Sequence, residues 1–317
     1  MRVALSCLLS MACSSAGPAT DPGTPAAGLG RIAFVSKAGG LNQIYLMDVD
    51  SAGRGSTPRR LTADREPENY PSWSPDGSRL AYQRDFNGAA IYVVNADGTG
   101  ARRLSPTPGY DIQPSWSPDG TKIVFVRLLA PPQPNTVPPS EMRIMNADGT
   151  GDRVILANAG LSIEPRWSVN SSIVFMSLLN GPTYDVYTMN VDGTGLRRLT
   201  NGANNGDPNW SPDGTTIIFG SDREGNNRLN IFAMRADGSQ VRQLTNFAVP
   251  YETGDTHFSS DGTYITFEVD IDGKKQSDPN VPADVWIMRA DGSGAKSTGV
   301  ACSAVGCAPR WQPRSRP

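Results

Sequence analysis

Short apolar runs alternate with turn residues along the whole chain, and none has the length or the 3.6-residue period of an amphipathic helix. Runs such as Ile123-Val124-Phe125 and Asp185-Val186-Tyr187-Thr188-Met189 read as strands, cut by Pro-Asp-Gly or Asp-Gly-Thr-Gly punctuation. The pattern recurs, most clearly from Pro208 to Thr245, and each copy is anchored by one aromatic: Trp73, Trp116, Trp167, Trp210, Phe258 and Trp311. The steps between anchors are 43, 51, 43, 48 and 53 residues. That period matches a four-stranded propeller blade, a unit that cannot bury its own apolar faces and must stack on copies of itself. The expected fold is therefore all-β, a six-bladed β-propeller of four-stranded antiparallel blades.

Each part of the repeat has a mechanical role. In Pro75 to Gly77, Pro118 to Gly120 and Pro212 to Gly214, proline presets φ, aspartate bonds nearby backbone N–H groups, and glycine accepts the positive φ that closes the hairpin. The same logic covers the Asp-Gly pairs starting at Asp97, Asp148, Asp192, Asp237 and Asp291. A second aromatic about nine residues after the anchor (Tyr82, Phe125, Phe219, Phe267) supplies area to fill the wedge between blades, which makes these rings core. The first unit starts at Arg31-Ile32-Ala33-Phe34 with no anchor strand before it, while Pro309-Arg310-Trp311 has no unit after it. The C-terminal strand is expected to complete the first blade, removing the open edges.

Residues 1–13 read as a lipoprotein-type signal segment, 14–29 as a flexible tether rich in Pro, Gly and Ser, 30–313 as the propeller and 314–317 as a tail. The apolar stretch in the leader is about ten residues, too short to span a bilayer. Ala12 before Cys13 resembles a lipobox, although Ser10 stands where leucine is usual, and it makes Cys13 the expected lipidation site; an ordinary secretory signal is the other reading. Either implies export, to the periplasm or the outer membrane surface, with membrane contact only through the lipid. Of four cysteines, Cys302 and Cys307 remain outside the leader, and in an exported chain they are expected to pair as a disulfide; a two-Cys metal site is the rival. Lys and Arg total 29 against 31 Asp and Glu, with no basic stripe interleaved with aromatics, which excludes nucleic acid as an expected partner.

The motif Pro-x-Trp-Ser-Pro-Asp-Gly, then Ile-x-Phe, an Asp-Gly-Thr-Gly hairpin and Arg197-Arg198-Leu199-Thr200 resembles the WD40-like repeats of TolB-type β-propellers of bacterial envelope proteins. The resemblance runs from Gly30 to Pro313. The copies depart at Trp167-Ser168-Val169-Asn170-Ser171, at Asp152-Arg153-Val154-Ile155 and at Phe258. TolB carries an α/β domain ahead of its propeller where this chain has a tether, so the resemblance implies fold and compartment rather than a Tol-system role.

The repetitive turns share one face, so sequence diversity collects on the other. That face is expected to carry the Leu129 to Ser140 insert, the Asp222 to Leu229 and Asp270 to Ala283 loops, and crossovers bearing Glu68, Tyr70, Tyr110, Asp111, Glu164, Asp207, Tyr251 and Asp255. The carboxylates recur three or five residues before the anchor, and are expected to ring the channel mouth. Three readings stay open for the ring: turn caps, a site for an envelope protein, a peptide or a glycan, or a cation such as calcium. No cofactor and no structural metal are expected, and Asp270-Ile271-Asp272-Gly273 begins like a calcium loop but continues with Lys274 and Lys275. His257, the single histidine, lies on the sixth inner strand and reads as a channel-lining residue; no Gly-x-Ser-x-Gly elbow accompanies it. A non-catalytic binding scaffold is the first functional expectation. A lyase or hydrolase acting on extracellular polymer around His257 is the alternative.

Overall fold

A computed structural model describes residues 28–313 apart from 86–87, 106–108, 134–135, 158–159, 226–228, 248–251, 271–282 and 303–306. The leader with Cys13, the tether up to residue 27, Tyr251, most of the Asp270 to Ala283 loop and the 314–317 tail lie outside the described residues. The first strands are β1 (Gly28–Ser36), β2 (Gln43–Asp50) and β3 (Arg59–Arg60). There follow β4 (Glu68–Trp73), β5 (Arg79–Asp85), β6 (Ala89–Asn95), β7 (Arg102–Arg103), β8 (Tyr110–Trp116), β9 (Lys122–Leu128), β10 (Ser140–Asn146) and β11 (Arg153–Leu156). Next come β12 (Ser162–Trp167), β13 (Ser172–Ser177), β14 (Asp185–Asn190), β15 (Arg197–Arg198), β16 (Asn205–Trp210), β17 (Thr216–Ser221), β18 (Asn230–Arg235) and β19 (Arg242–Gln243). The last are β20 (Glu252–Phe258), β21 (Tyr264–Asp270), β22 (Ala283–Arg289), β23 (Lys296–Cys302) and β24 (Arg310–Trp311). Among the described residues no helix is long and apolar enough to cross a membrane.

The result is an all-β propeller built of antiparallel four-stranded blades. β12 to β15, β16 to β19 and β20 to β23 each form one sheet in sequence order, and a fourth runs β24-β1-β2-β3. An eight-stranded sheet holds β4 to β7 and β8 to β11, tied by a single parallel bridge between Ala89 and Tyr110. The apolar cores lie between these units rather than within them. One cluster joins Ala33, Ile44 and Leu46 to Trp73, Leu80 and Tyr82; another joins Val174 and Val186 to Trp210, Ile217 and Phe219. Tyr82, Phe125, Phe219 and Phe267 are fully buried, and each phenylalanine contributes roughly 1.5–3 kcal/mol by leaving water.

Backbone contact reinforces the stacking. A Cβ added at Gly98, Gly149 or Gly292 would sit 2.6–2.7 Å from the carbonyl oxygen of Leu61, Leu104 or Leu244 in the preceding unit. Glycine in the Asp-Gly turn thus serves close approach as well as positive φ.

The Pro-Asp-Gly hairpins carry a second repeated device. Ser117 Oγ donates to Asp119 (2.6 Å) and accepts the Lys122 N–H (2.9 Å), while Asp119 accepts the Thr121 N–H (2.9 Å). Ser211 and Asp213 repeat it, and there the Ser211 hydroxyl, then the Thr215 N–H, hold the Asp213 carboxyl below its usual pKa. In the fourth unit, where the motif departs, Ser171 takes the glycine position with φ of 59°. A non-glycine residue there costs about 1 kcal/mol or more.

The ring closes through the C-terminus, as the phase of the repeat predicts. Ile32 pairs with Trp311 and Ala33 with Arg310, Gln312 N–H reaches Arg31 O at 2.8 Å, and Trp311 is 2% exposed. The Cys302–Cys307 disulfide sits just before this strand, with its sulfurs in the cluster that packs β22 and β23 against β1 and β2.

Ser171→Gly is expected to raise unfolding free energy by about 1 kcal/mol in urea titrations; an unchanged or lower midpoint would contradict a strained turn. Trp311→Ala is expected to remove about 3–5 kcal/mol in one cooperative transition. If only a separate early phase is lost and the main transition keeps its midpoint, the strand does not close the domain.

Candidate central-channel site

The innermost strand of each unit bends at one place. Between Asn69 and Ser72, Ile112 and Ser115, Ile163 and Arg166, Gly206 and Asn209, and Gly254 and His257, three steps along the inner strand face two along its neighbour. Each bulge holds a non-glycine residue at positive φ: Tyr70 (53°), Gln113 (54°), Glu164 (55°), Asp207 (50°) and Asp255 (49°), with Ala308 (42°) before β24. All six stand three residues before the anchoring aromatic. Proline follows in five of them, at Pro71, Pro114, Pro165, Pro208 and Pro309, and proline inside a central strand marks a bulge.

The kink turns the side chain three before the anchor toward the axis, and these side chains interlock. Gln113 Oε1 accepts the Glu164 N–H (3.0 Å), Asp207 Oδ2 the Asp255 N–H (3.2 Å), and Asp255 Oδ2 the Ala308 N–H (3.2 Å). Carboxyl oxygens of Glu164, Asp207 and Asp255 lie within 4.8 Å of one another. Burial, then Asp207 and Asp255, raises the Glu164 pKa well above its usual value. Tyr70 completes the group; burial and the same three acids hold its phenol protonated.

A second layer stands one residue before the anchor, toward the Pro-Asp-Gly turns: Ser72, Ser115, Arg166, Asn209, His257 and Arg310, all lining one cavity of about 130 Å³. Burial, then Arg310 and Arg166, pushes the His257 pKa well below 6.5, so the ring is neutral. Its Nδ1 is buried without a hydrogen-bond partner among the described residues.

The expected ring of acids is therefore divided. Glu164, Asp207, Asp255 and Tyr70 come together, but Glu164 and Asp255 are 5% and 6% exposed, inside the channel rather than on an open mouth. Glu68 and Asp111, five before the anchor, leave the ring. Asp111 is clamped by Arg127 (2.6 and 2.9 Å), which also reaches Asp152, itself held by Arg143. That network explains the Asp152 departure in the third repeat. Glu68 is buried against the Thr62 hydroxyl, and Tyr110 lies at the bridge between the two halves of the eight-stranded sheet. His257 belongs to the second layer. Gln113, Arg166, Asn209 and Arg310 were not expected; the bulge-marking proline was the signal, since it fixes which offset faces the axis.

Residues 10–132 and 139–285 match the family described as TolB beta propeller domain. An uncharacterized protein of Agrobacterium fabrum is 30% identical over 151 residues, 46% of this chain and 50% of its own length. The Tol-Pal system protein TolB of Bordetella pertussis is 42% identical over 72 residues, 23% of this chain and 16% of its own. The chain thus spans half or less of these curated relatives. In fold it is similar to the putative TolB structure from Agrobacterium tumefaciens, with TM-score 0.70, 22% identity, and coverage of 90% of this chain and 94% of that one.

Glu68 gives a pH test. Burial raises its carboxyl to about 7, against the Thr62 hydrogen bond and with Asp64 adding to the rise, while the unfolded chain titrates near 4.5. The folded state then holds a proton that the unfolded state has lost, so this group lowers stability as pH climbs between those values. Glu68→Gln is expected to match the parent near pH 4 and exceed it by up to about 3 kcal/mol at pH 8 in urea titrations. Parallel stability curves across that range would reject the assignment.

Proposed function

Since this chain belongs to the TolB beta propeller domain family, we propose that it is a non-catalytic binding scaffold of the bacterial cell envelope, exported and anchored by a lipid on Cys13. Reading the eight-stranded sheet as two blades tied at one bridge gives six blades around the channel. The partner is an envelope protein or peptide, with a glycan as the alternative, docking on the crossover face. A basic group of the partner enters the channel against Glu164, Asp207 and Asp255; calcium is the competing occupant.

One observation carries this reading: the same backbone kink presents five different residue types at six positions. Each kink costs roughly 1–3 kcal/mol. Capping the next strand would be served by one residue type throughout, yet the positions hold Tyr70, Gln113, Glu164, Asp207, Asp255 and Ala308. The unlike side chains give a partner something to read. His257, neutral and with no partner on its buried Nδ1 among the described residues, weighs against the lyase or hydrolase alternative.

Capture from envelope extract tests the site. Asp207→Asn with Asp255→Asn is expected to lose the partner about tenfold or more, while Asp97→Asn with Asp192→Asn, in the exposed turns, keeps it. Undiminished capture by the first pair would sink the reading, and capture abolished by chelation alone would assign the acids to a cation. Cys13→Ser is expected to move the protein out of the membrane fraction. Unchanged partitioning rejects the anchor.

A further inference from the structure

The layer nearer the Pro-Asp-Gly turns has the opposite chemistry to the acids. Arg166 and Arg310 are 9% and 3% exposed, and both line the 130 Å³ cavity with Asn209, His257, Ser72 and Ser115. Their charges are handled unequally. Arg310 donates to the carbonyls of Asp255 and Pro309 and lies 3.6 Å from Asp255 Oδ1. Arg166 donates only to the Pro165 carbonyl (3.1 Å), makes no ion pair among the described residues, and buries its Nε with no partner. Trp116 and Trp311, on the same cavity wall, also bury unpartnered indole N–H groups. Glu164, Asp255 and Asp207 favour its charge only from a distance, so the guanidinium lies buried with no contacting acid, an arrangement that is costly unless a ligand completes it.

We propose that this cavity is a binding site for a single carboxylate group, received by Arg166 and seated by Asn209, Ser72 and Ser115. A guanidinium fork matches a planar carboxylate with two parallel hydrogen bonds. One unpaired arginine balances one negative charge, and Asp207 and Asp255 in the adjoining layer disfavour a dianion such as phosphate. The cavity has room for several waters, and so for a carboxylate head. Burial, then Arg310, lowers the Arg166 pKa to about 10, which leaves it cationic at neutral pH. A second cavity of about 180 Å³ adjoins the first, sharing Trp167, Asn209, His257, Trp311 and Pro313, and is lined beyond them by Ser211, Pro212 and Ser260 near the Pro-Asp-Gly turns. The site therefore lies toward the opposite end of the channel from the proposed docking face, and its test is independent of that docking.

Tryptophan fluorescence and thermal unfolding of the parent protein are read during titration with sodium acetate, with chloride, sulfate and phosphate at equal ionic strength. Acetate is expected to give a saturable change and a higher midpoint, chloride neither, and Arg166→Gln to weaken the acetate response about tenfold or more. The dipeptide Gly-Gly, its amide, and galacturonate separate a peptide terminus from a sugar acid as the source of the carboxylate. Equal responses to acetate and chloride in the parent overturn the site even if Arg166→Gln fails to fold. Tighter binding of sulfate or phosphate than of every carboxylate overturns the ligand class, and a folded Arg166→Gln protein with parental acetate affinity overturns the role of Arg166.

Discussion

No sheet in this protein covers its own apolar faces. Tyr82 on one unit is buried by Ile44 and Leu46 of the unit before it, and Phe219 by Val174 and Val186. The cores are seams between units, so stability is a sum of neighbour contacts and an open end would expose one whole seam. Closure through Trp311 follows from that constraint. The Asp-Gly turns follow too, because a side chain at Gly98 or Gly149 would hold adjacent units apart.

Packing around an axis also decides where polar chemistry goes. Bulky rings fill the outer wedge, and the inner strands converge too closely to admit a second apolar layer. The bulge resolves this crowding by spending one extra residue per inner strand and aiming a side chain inward. The −3 residues then bond one another's backbone, as Asp207 does for Asp255 and Asp255 for Ala308. An acidic and a basic layer come to lie two residues apart, and burial together with like charges within each layer shifts ionisation: Glu164 gains proton affinity beside Asp207 and Asp255, while His257 loses it beside Arg310 and Arg166.

The repeat by itself determined the strand punctuation, the four-stranded unit, the aromatic core and the closing strand, because those depend on residue type at fixed spacing and recur in register. Glu164, Asp207 and Asp255 were legible for the same reason. What only the tertiary structure decided was which offset meets the axis. In an unbroken strand, residues three and five before the anchor share a face, and Glu68 and Asp111 would stand beside Glu164. One inserted residue reverses that alternation, sending Asp111 to Arg127 and Glu68 to Thr62, and it brings Arg166 and Arg310 together from units whose separation in the sequence gives no hint of contact. Spacing along a chain records period, but a bulge changes phase, and phase is set by how the neighbouring strand pairs.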